Sequence, residues 1–186
     1  VMYHPDHGTW VEVPDLSRGL CGLSRPVHFR GVCTVVLKLF MLTGADVAVF
    51  GQKDWQQQAI LRRMVRDLDV PVRIETRDTV READGLALSS RNVYLSADER
   101  AHAPEIRKAL LVAQKLAQSG ETSVKLLREA VLRRWAEFLP LGRLDYLSIV
   151  HPESMTTLTE VTGPALMACA VRVGKARLID NILLRS

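Results

Sequence analysis

The stretch that most constrains what this chain can become is Phe50-Gly51-Gln52-Lys53-Asp54-Trp55-Gln56-Gln57. Before it, Asp46-Val47-Ala48-Val49-Phe50 is short, β-branched and almost without polar residues, which predicts a buried β-strand. After it, Trp55, Leu61, Met64, Val65 and Leu68 recur at helical spacing. The chain therefore passes from strand through a tight turn into a helix. Gly51 permits torsions that a side chain would forbid and lets a ligand come close to the backbone. In open α/β sheets ligands bind at the carboxyl ends of strands and near helix N-termini. Lys53, Asp54 and Gln57 thus bring a cation, a carboxylate and an amide to that edge. The same residues would equally suit a solvated strand-to-helix loop.

The neighbours of this stretch predict an α-β-α-β series: helix 32–42, strand 46–50, helix 55–68 and strand 72–76. Val70-Pro71 breaks the second helix. Two strands joined by a helix call for a right-handed parallel crossover. Upstream, Trp10-Val11-Glu12-Val13 alternates as a half-buried strand would, and residues 15–22 suit one helical turn and a loop. Ser24-Arg25-Pro26-Val27-His28-Phe29-Arg30-Gly31 is expected as a basic loop ahead of an apolar helix. Basic groups beside the N–H groups of a helix start suit a phosphate or carboxylate, although a structural His28 and solvated arginines explain them as well.

Past residue 80 the pattern changes. Val80 to Asn92 is polar and glycine-marked, and its Ser89-Ser90-Arg91 offers two hydroxyls and a planar charged fork, a set apt for phosphate oxygens. Ser96-Ala97-Asp98-Glu99 is a capping box opening a helix whose buried stripe is Ile106, Leu110, Ala113, Leu116 and Ala117. A second helix, about 123–138, carries Val124, Leu127, Val131, Trp135 and Phe138 on one face. Strands are expected at 144–150 and 165–173, then a basic turn at 174–177 and an apolar segment at 178–184. Helices followed by strands make an α+β pattern, so a domain boundary is placed near residue 80, giving domains 1–80 and 81–186.

Composition narrows the function classes. The 25 basic and 21 acidic residues leave a net charge of +4, and no run of Lys/Arg exceeds two, which argues against nucleic acid and suits an anionic small molecule. No apolar run reaches eighteen residues, so no membrane partner is expected. Three cysteines at spacings matching no metal motif point to a reducing compartment, hence the cytoplasm. The five histidines form no HxxxH or HxH pair, so no metal site within the protein is expected.

Four stretches, in order and in spacing, resemble the pantothenate synthetase family: Ser24–Gly31, Phe50–Gln57, Val80–Asn92 and the ending Ala176-Arg177-Leu178-Ile179-Asp180-Asn181. The wording from Cys21 to Cys33 is similar to the plant and algal branch. The resemblance implies a partial Rossmann-like, nucleotidyltransferase-type α/β domain with a parallel sheet, followed by a small α+β lid domain carrying a KMSKS-like loop. It implies an ATP-dependent ligase joining pantoate to β-alanine through a pantoyl adenylate, with AMP and pyrophosphate released. Gly51, Gln52, Lys53 and Asp54 would belong to the ATP site, Lys53 facing phosphates and Asp54 the ribose. Gln57 would bind pantoate, and the Val80 backbone would recognise adenine. Leu88, Ser89, Ser90 and Arg91 would form the phosphate loop, with Leu88 where methionine is common. Lys53, Ser89, Ser90 and Arg91 would be the catalytic set, and Arg25 and His28 would support the active-site region. Magnesium bound through the phosphates and a homodimer are also implied. The family's His-x-Gly-His signature is not found here, since His7-Gly8 is followed by Thr9-Trp10. The chain is therefore expected to be the C-terminal portion of the enzyme, inactive or nearly so alone and prone to associate. Two rivals stand beside this reading: another adenylate-forming nucleotidyltransferase, and a non-catalytic nucleotide-binding or interaction module.

Overall fold

The computed structural model describes residues 2–185, and the chain divides into two compact units, Val1–Arg77 and Asp78–Ser186. In the first, helices α1 (Pro14–Ser17), α2 (Cys21–Ser24) and α3 (His28–Thr43) precede strand β1 (Val47–Gly51), helix α4 (Trp55–Asp67) and strand β2 (Arg73–Arg77). A 3-10 turn over Gln52–Asp54 links β1 to α4. β1 and β2 pair in parallel from Val47 opposite Arg73 to Gly51 opposite Arg77. Ile60, Leu61 and Met64 of α4 are buried with Leu16, Phe29, Cys33 and Phe40.

Several expectations for this unit are corrected. Helix α3 starts at His28 rather than Val32, so the Ser24–Gly31 stretch is half loop and half first helical turn. It stops at Gly44, whose φ of 59° is a left-handed cap open to glycine. Trp10–Val13 forms no strand; Val11 N–H donates to Thr34 Oγ1 at 3.0 Å, and Arg30 lies over the Trp10 ring at 4.9 Å. The segment is tied to a helix, so its alternation reports that contact and no pairing partner. The strand expected to be buried is not: Val47 is 39% and Val49 58% exposed. Both faces of β1 are apolar, as in covered parallel sheets, but this sheet has two strands among the described residues.

The second unit begins with a turn closed by a bridge between Arg81 and Ala87, then a 3-10 turn over Ser90–Tyr94. Helices α5 (Ala97–His102), α6 (Glu105–Gln118) and α7 (Val124–Phe138) follow. Strands β3 (Gly142–Val150), β4 (Ala165–Val173) and β5 (Ala176–Arg185) make an antiparallel sheet in the order β3-β4-β5. α6 packs on α7 and on β5, and α7 on β3. Leu110, Leu127, Val131, Ile149, Met167 and Leu184 lie in one continuous core. Fully burying each such side chain contributes about 1.5–3 kcal/mol.

The capping box at Ser96 and Glu99 is present in full. The helix it opens ends at His102, because Pro104 has no N–H to continue the ladder, and α6 restarts at Glu105. Leu116, expected in the buried stripe, is 39% exposed, one position off the Ile106–Leu110–Ala113–Ala117 line. Phe138 is likewise 40% exposed and is covered by Arg134, whose guanidinium sits 4.8 Å from the ring centre. The basic turn shortens to Gly174-Lys175, and Arg177 enters β5 to pair with Asp145 at 2.7 Å.

Candidate active site

In the first unit the residues singled out lie at the carboxyl end of β1. Gly51 ends the strand with φ −79°, an ordinary extended torsion, so its conformational freedom is not used. What glycine leaves there is room: a Cβ would meet nothing within 4 Å. Gln52, Lys53 and Asp54 form the 3-10 turn, Lys53 half-buried and Asp54 exposed. Asp54 is the N-cap of α4, yet its side chain caps no N–H of the helix. Its carboxylate therefore projects from the turn instead of closing it. Gln57, half-buried, stands on the first turn of α4.

Its two neighbours hold the fold. Gln56 is 6% exposed; its Nε2 donates to the carbonyls of Leu16 at 2.9 Å and Gly19 at 2.8 Å, and its Oε1 accepts from Cys21 N–H at 3.1 Å. Gln58 donates to the Gly51 carbonyl. The Gln-Gln-Gln run thus splits into two structural amides and one turned elsewhere. In the other stretch, Arg25 Nη1 and His28 Nε2 lie 3.1 Å apart, and both belong to the entry into α3.

In the second unit, Val80 and Leu88 are joined across the turn, Leu88 N–H donating to the Val80 carbonyl at 2.9 Å. Both side chains are exposed, at 67% and 55%. Ser89 caps the following 3-10 turn, its Oγ accepting from Arg91 N–H at 3.2 Å, and Ser90 and Arg91 are exposed. An acidic and basic frame holds this turn. Arg100 donates to Glu82 at 2.5 Å and Asp84 at 2.6 Å, and Asn92 Nδ2 donates to Glu82 at 2.6 Å and to the Ala87 carbonyl at 3.2 Å. The hydrogen bonds from Asn92 and then Arg100 hold the Glu82 carboxyl below its ordinary range, and Arg100 does the same to Asp84. On the opposite side Arg81 reaches Asp180 of β5.

The structure brings Gly51 through Gln57 together in the first unit, Arg25 with His28 in the same unit, and Val80 with Leu88 through Arg91 in the second. The arginine and acid frame of the second unit went unread in the sequence. Arg81, Glu82 and Asp84 were in view as loop residues, but their partners Arg100 and Asp180 are distant in the chain. Among the described residues no group of three His, Cys, Asp or Glu side chains could hold a metal ion.

The family model described as pantoate-beta-alanine ligase matches residues 1–183. The chain is 82% identical over 185 residues to the pantothenate synthetase of Desulfovibrio desulfuricans, covering 100% of this chain and 66% of that protein. It is 58% identical over 183 residues to that of Nitratidesulfovibrio vulgaris, covering 98% and 65%. The chain thus spans about two thirds of these relatives' length. The bacterial relatives correct the plant and algal likeness read from Cys21 to Cys33. Among solved structures, the Thermus thermophilus pantothenate synthetase superposes with a TM-score of 0.94 at 44% identity, over 100% of this chain and 67% of that one. The Francisella tularensis pantoate-beta-alanine ligase, complexed with beta-gamma ATP and beta-alanine, gives 0.71 at 28% identity, over 97% and 60%. The fold is mixed α/β of nucleotidyltransferase type, a partial Rossmann-like parallel sheet followed by a small α+β unit. By sequence and by fold, the chain belongs to the pantoate-beta-alanine ligase family.

Proposed function

We propose that this chain carries most of the active site of an ATP-dependent ligase that condenses pantoate with β-alanine. The observation that carries the reading is the family match across residues 1–183, which takes in both the Lys53 turn and the Ser89–Arg91 loop. The first unit is the ATP- and pantoate-binding half, and the second is the small lid with the phosphate loop. Substrate ATP is supported by the Francisella tularensis relative and its bound nucleotide.

In the first step the pantoate carboxylate attacks the α-phosphorus, the bond to the β-phosphate breaks, and pyrophosphate leaves. In the second the β-alanine amine attacks the acyl carbon, loses a proton, and expels AMP. Such transfers need positioning and charge neutralisation more than a covalent nucleophile. Lys53 supplies charge to the phosphates from the turn after β1, with Gly51 and Gln52 giving a bare approach. Asp54, which caps no helix N–H, accepts from the ribose hydroxyls. Gln57 holds pantoate. The Val80 backbone reads adenine, with the Leu88 side chain beside it. Ser89 accepts from Arg91 N–H and keeps its own O–H to donate to a phosphate oxygen; Ser90 and the Arg91 fork complete that grip. Arg25 and His28 support the entry to α3. Lys53, Ser89, Ser90 and Arg91 would hold the phosphates through which a magnesium ion would bind, and such an ion would supply further charge neutralisation. A homodimer and a cytoplasmic location complete the reading.

Pyrophosphate exchange on the protein at its native length tests it. Exchange that depends on pantoate, with AMP released once β-alanine is added, is the expected result. Equal exchange with unrelated acids would move the protein to another adenylate-forming reaction. ATP binding without turnover would favour a non-catalytic nucleotide module. The 186 residues alone, without a His-x-Gly-His, are expected to turn over little, and pantoate-dependent AMP release by them would overturn that expectation.

A further inference from the structure

We propose that Asp180, on β5, is a positioning residue for the nucleotide: through Arg81 it holds the Val80–Arg91 turn in the shape that receives adenine and phosphate. The inference rests on the reading above, in which that turn is part of the ATP site.

Arg81 meets Asp180 with both ends of its fork, Nη1 to Oδ2 at 2.7 Å and Nη2 to Oδ1 at 2.9 Å. The Asp180 side chain is 3% exposed and that of Arg81 21%, so the pair is shielded from solvent. The same Nη1 donates to the Gly85 carbonyl at 3.0 Å, across the turn that Arg81 itself opens. Gly85, at φ 93°, makes the reversal possible. Arg81 is thus at once the bridge partner of Ala87, the clamp on Gly85 and the anchor to β5. Directly outside it stand Val80 and Leu88, joined by their backbone hydrogen bond. The hydrogen bonds that Asp180 accepts from the turn come from Arg81, so its hold on the residues given to ATP runs through that side chain.

The carboxylate has a second task. Arg107, half-buried, donates to the Asn181 carbonyl at 3.2 Å, and its partial burial pushes its pKa down, with Arg81 adding to that and Asp180 opposing it. Asp180 therefore pairs with one guanidinium group while a second is held at the next residue of β5. Removing its charge weakens the hold of β5 on Arg81, which unlocks the turn. A lysine at position 81 would keep the charge and lose the fork.

The test uses the protein at its native length with Asp180→Asn, Asp180→Glu, Arg81→Lys and Arg91→Ala. In Asp180→Asn, exchange of the Glu82 and Leu88 amides is expected to speed by about tenfold or more, with the α6 and α7 amides unchanged. The KM for ATP is expected to rise about tenfold while that for β-alanine stays within about twofold, and Asp180→Glu to recover most of the loss. Unchanged exchange in the turn overturns the proposal, as does a parallel rise of both KM values with loosening of the α6 and α7 amides. If Asp180→Asn does not fold, Arg81→Lys at the more exposed partner carries the same two readouts. Arg91→Ala separates the underlying reading: if it leaves the KM for ATP unchanged, the turn is not part of the ATP site and the proposal falls with it, whatever the exchange shows.

Discussion

Strands β1 and β4 are both apolar on both faces, and the structure treats them in opposite ways. Every residue of β4 except Arg172 is buried, whereas β1 alternates between exposed and half-buried along its length. β4 has a strand on each side, and its unit holds one continuous core. β1 is paired along one edge by β2 among the described residues. An apolar strand thus makes a core only when the layers around it are present. The second unit has the attributes of a self-supporting body. The first has a buried α3–α4 seam, and its sheet sets the exposed Val47 and Val49 in register with Arg73 and Glu75, so the open face is half charged.

Substitutions in the two units put numbers on this contrast. The largest effect is expected for Leu110→Ala in the second core, where deleting a fully buried leucine costs about 2–5 kcal/mol, measured by denaturant titration followed by a probe in that unit. Next is Lys53→Ala at native length, expected to lower kcat by about 10²–10³ on loss of a charge stabiliser while the denaturation midpoint hardly moves. A fall in stability of similar size would make Lys53 a structural residue. Ser96→Ala removes the accepting half of the capping box of α5 and is expected to cost about 1 kcal/mol.

Acid should act on the second unit through Glu105. Burial raises its pKa, but hydrogen bonds from Lys108 and Arg134 more than offset this and hold the carboxyl below its ordinary value. A depressed folded-state pKa gives stability that is present above the unfolded pKa and lost as pH falls through the folded one. Glu105→Gln should therefore narrow the stability gap between neutral pH and pH below about 4. A variant whose acid sensitivity matches the wild type would remove Glu105 from that account. The smallest effect is expected for Val49→Thr on β1, within about 0.5 kcal/mol, since the residue is already 58% exposed. A cost several times larger would show that Val49 is covered in solution.

The parts of this fold that were legible in the sequence are those written locally. The crossover from β1 to β2 follows from an apolar strand, a helical stripe and Val70-Pro71, and all three lie within about thirty residues. The Ser96 capping box reads directly because both partners sit within one helical turn of each other. Other signals misled for physical reasons. The start of α3 was missed because Val27 caps it without a side-chain hydrogen bond, so no polar residue marks the boundary. The break at Pro104 was read through because α5 carries no buried stripe whose interruption could mark it; the stripe starts only at Ile106. Gly51 suggested an unusual torsion where the structure uses only its lack of a side chain. At the candidate site, the turn after β1 and the Ser89–Arg91 loop were visible as short chemical groupings. Gln56 and Gln57 differ in task although they are neighbours and chemically alike, and only the contacts to Leu16, Gly19 and Cys21 tell them apart.

The Arg81–Asp180 pair spans 99 positions of chain, and that distance has a meaning in time. At about 5–20 residues per second of synthesis, Asp180 leaves the ribosome roughly 5–20 s after Arg81. Throughout that interval the Val80–Arg91 turn has no β5 to anchor it, and contacts so far apart in the chain are slow to close. The nucleotide grip is therefore expected to mature last, after the helices behind it. Pulse-labelled exchange during refolding would check this: the Leu88 amide should gain protection together with β5 and later than α6. On the proposed ATP site, a chain stalled before β5 would be folded in part and unable to hold the nucleotide, so that completing β5 would switch on binding.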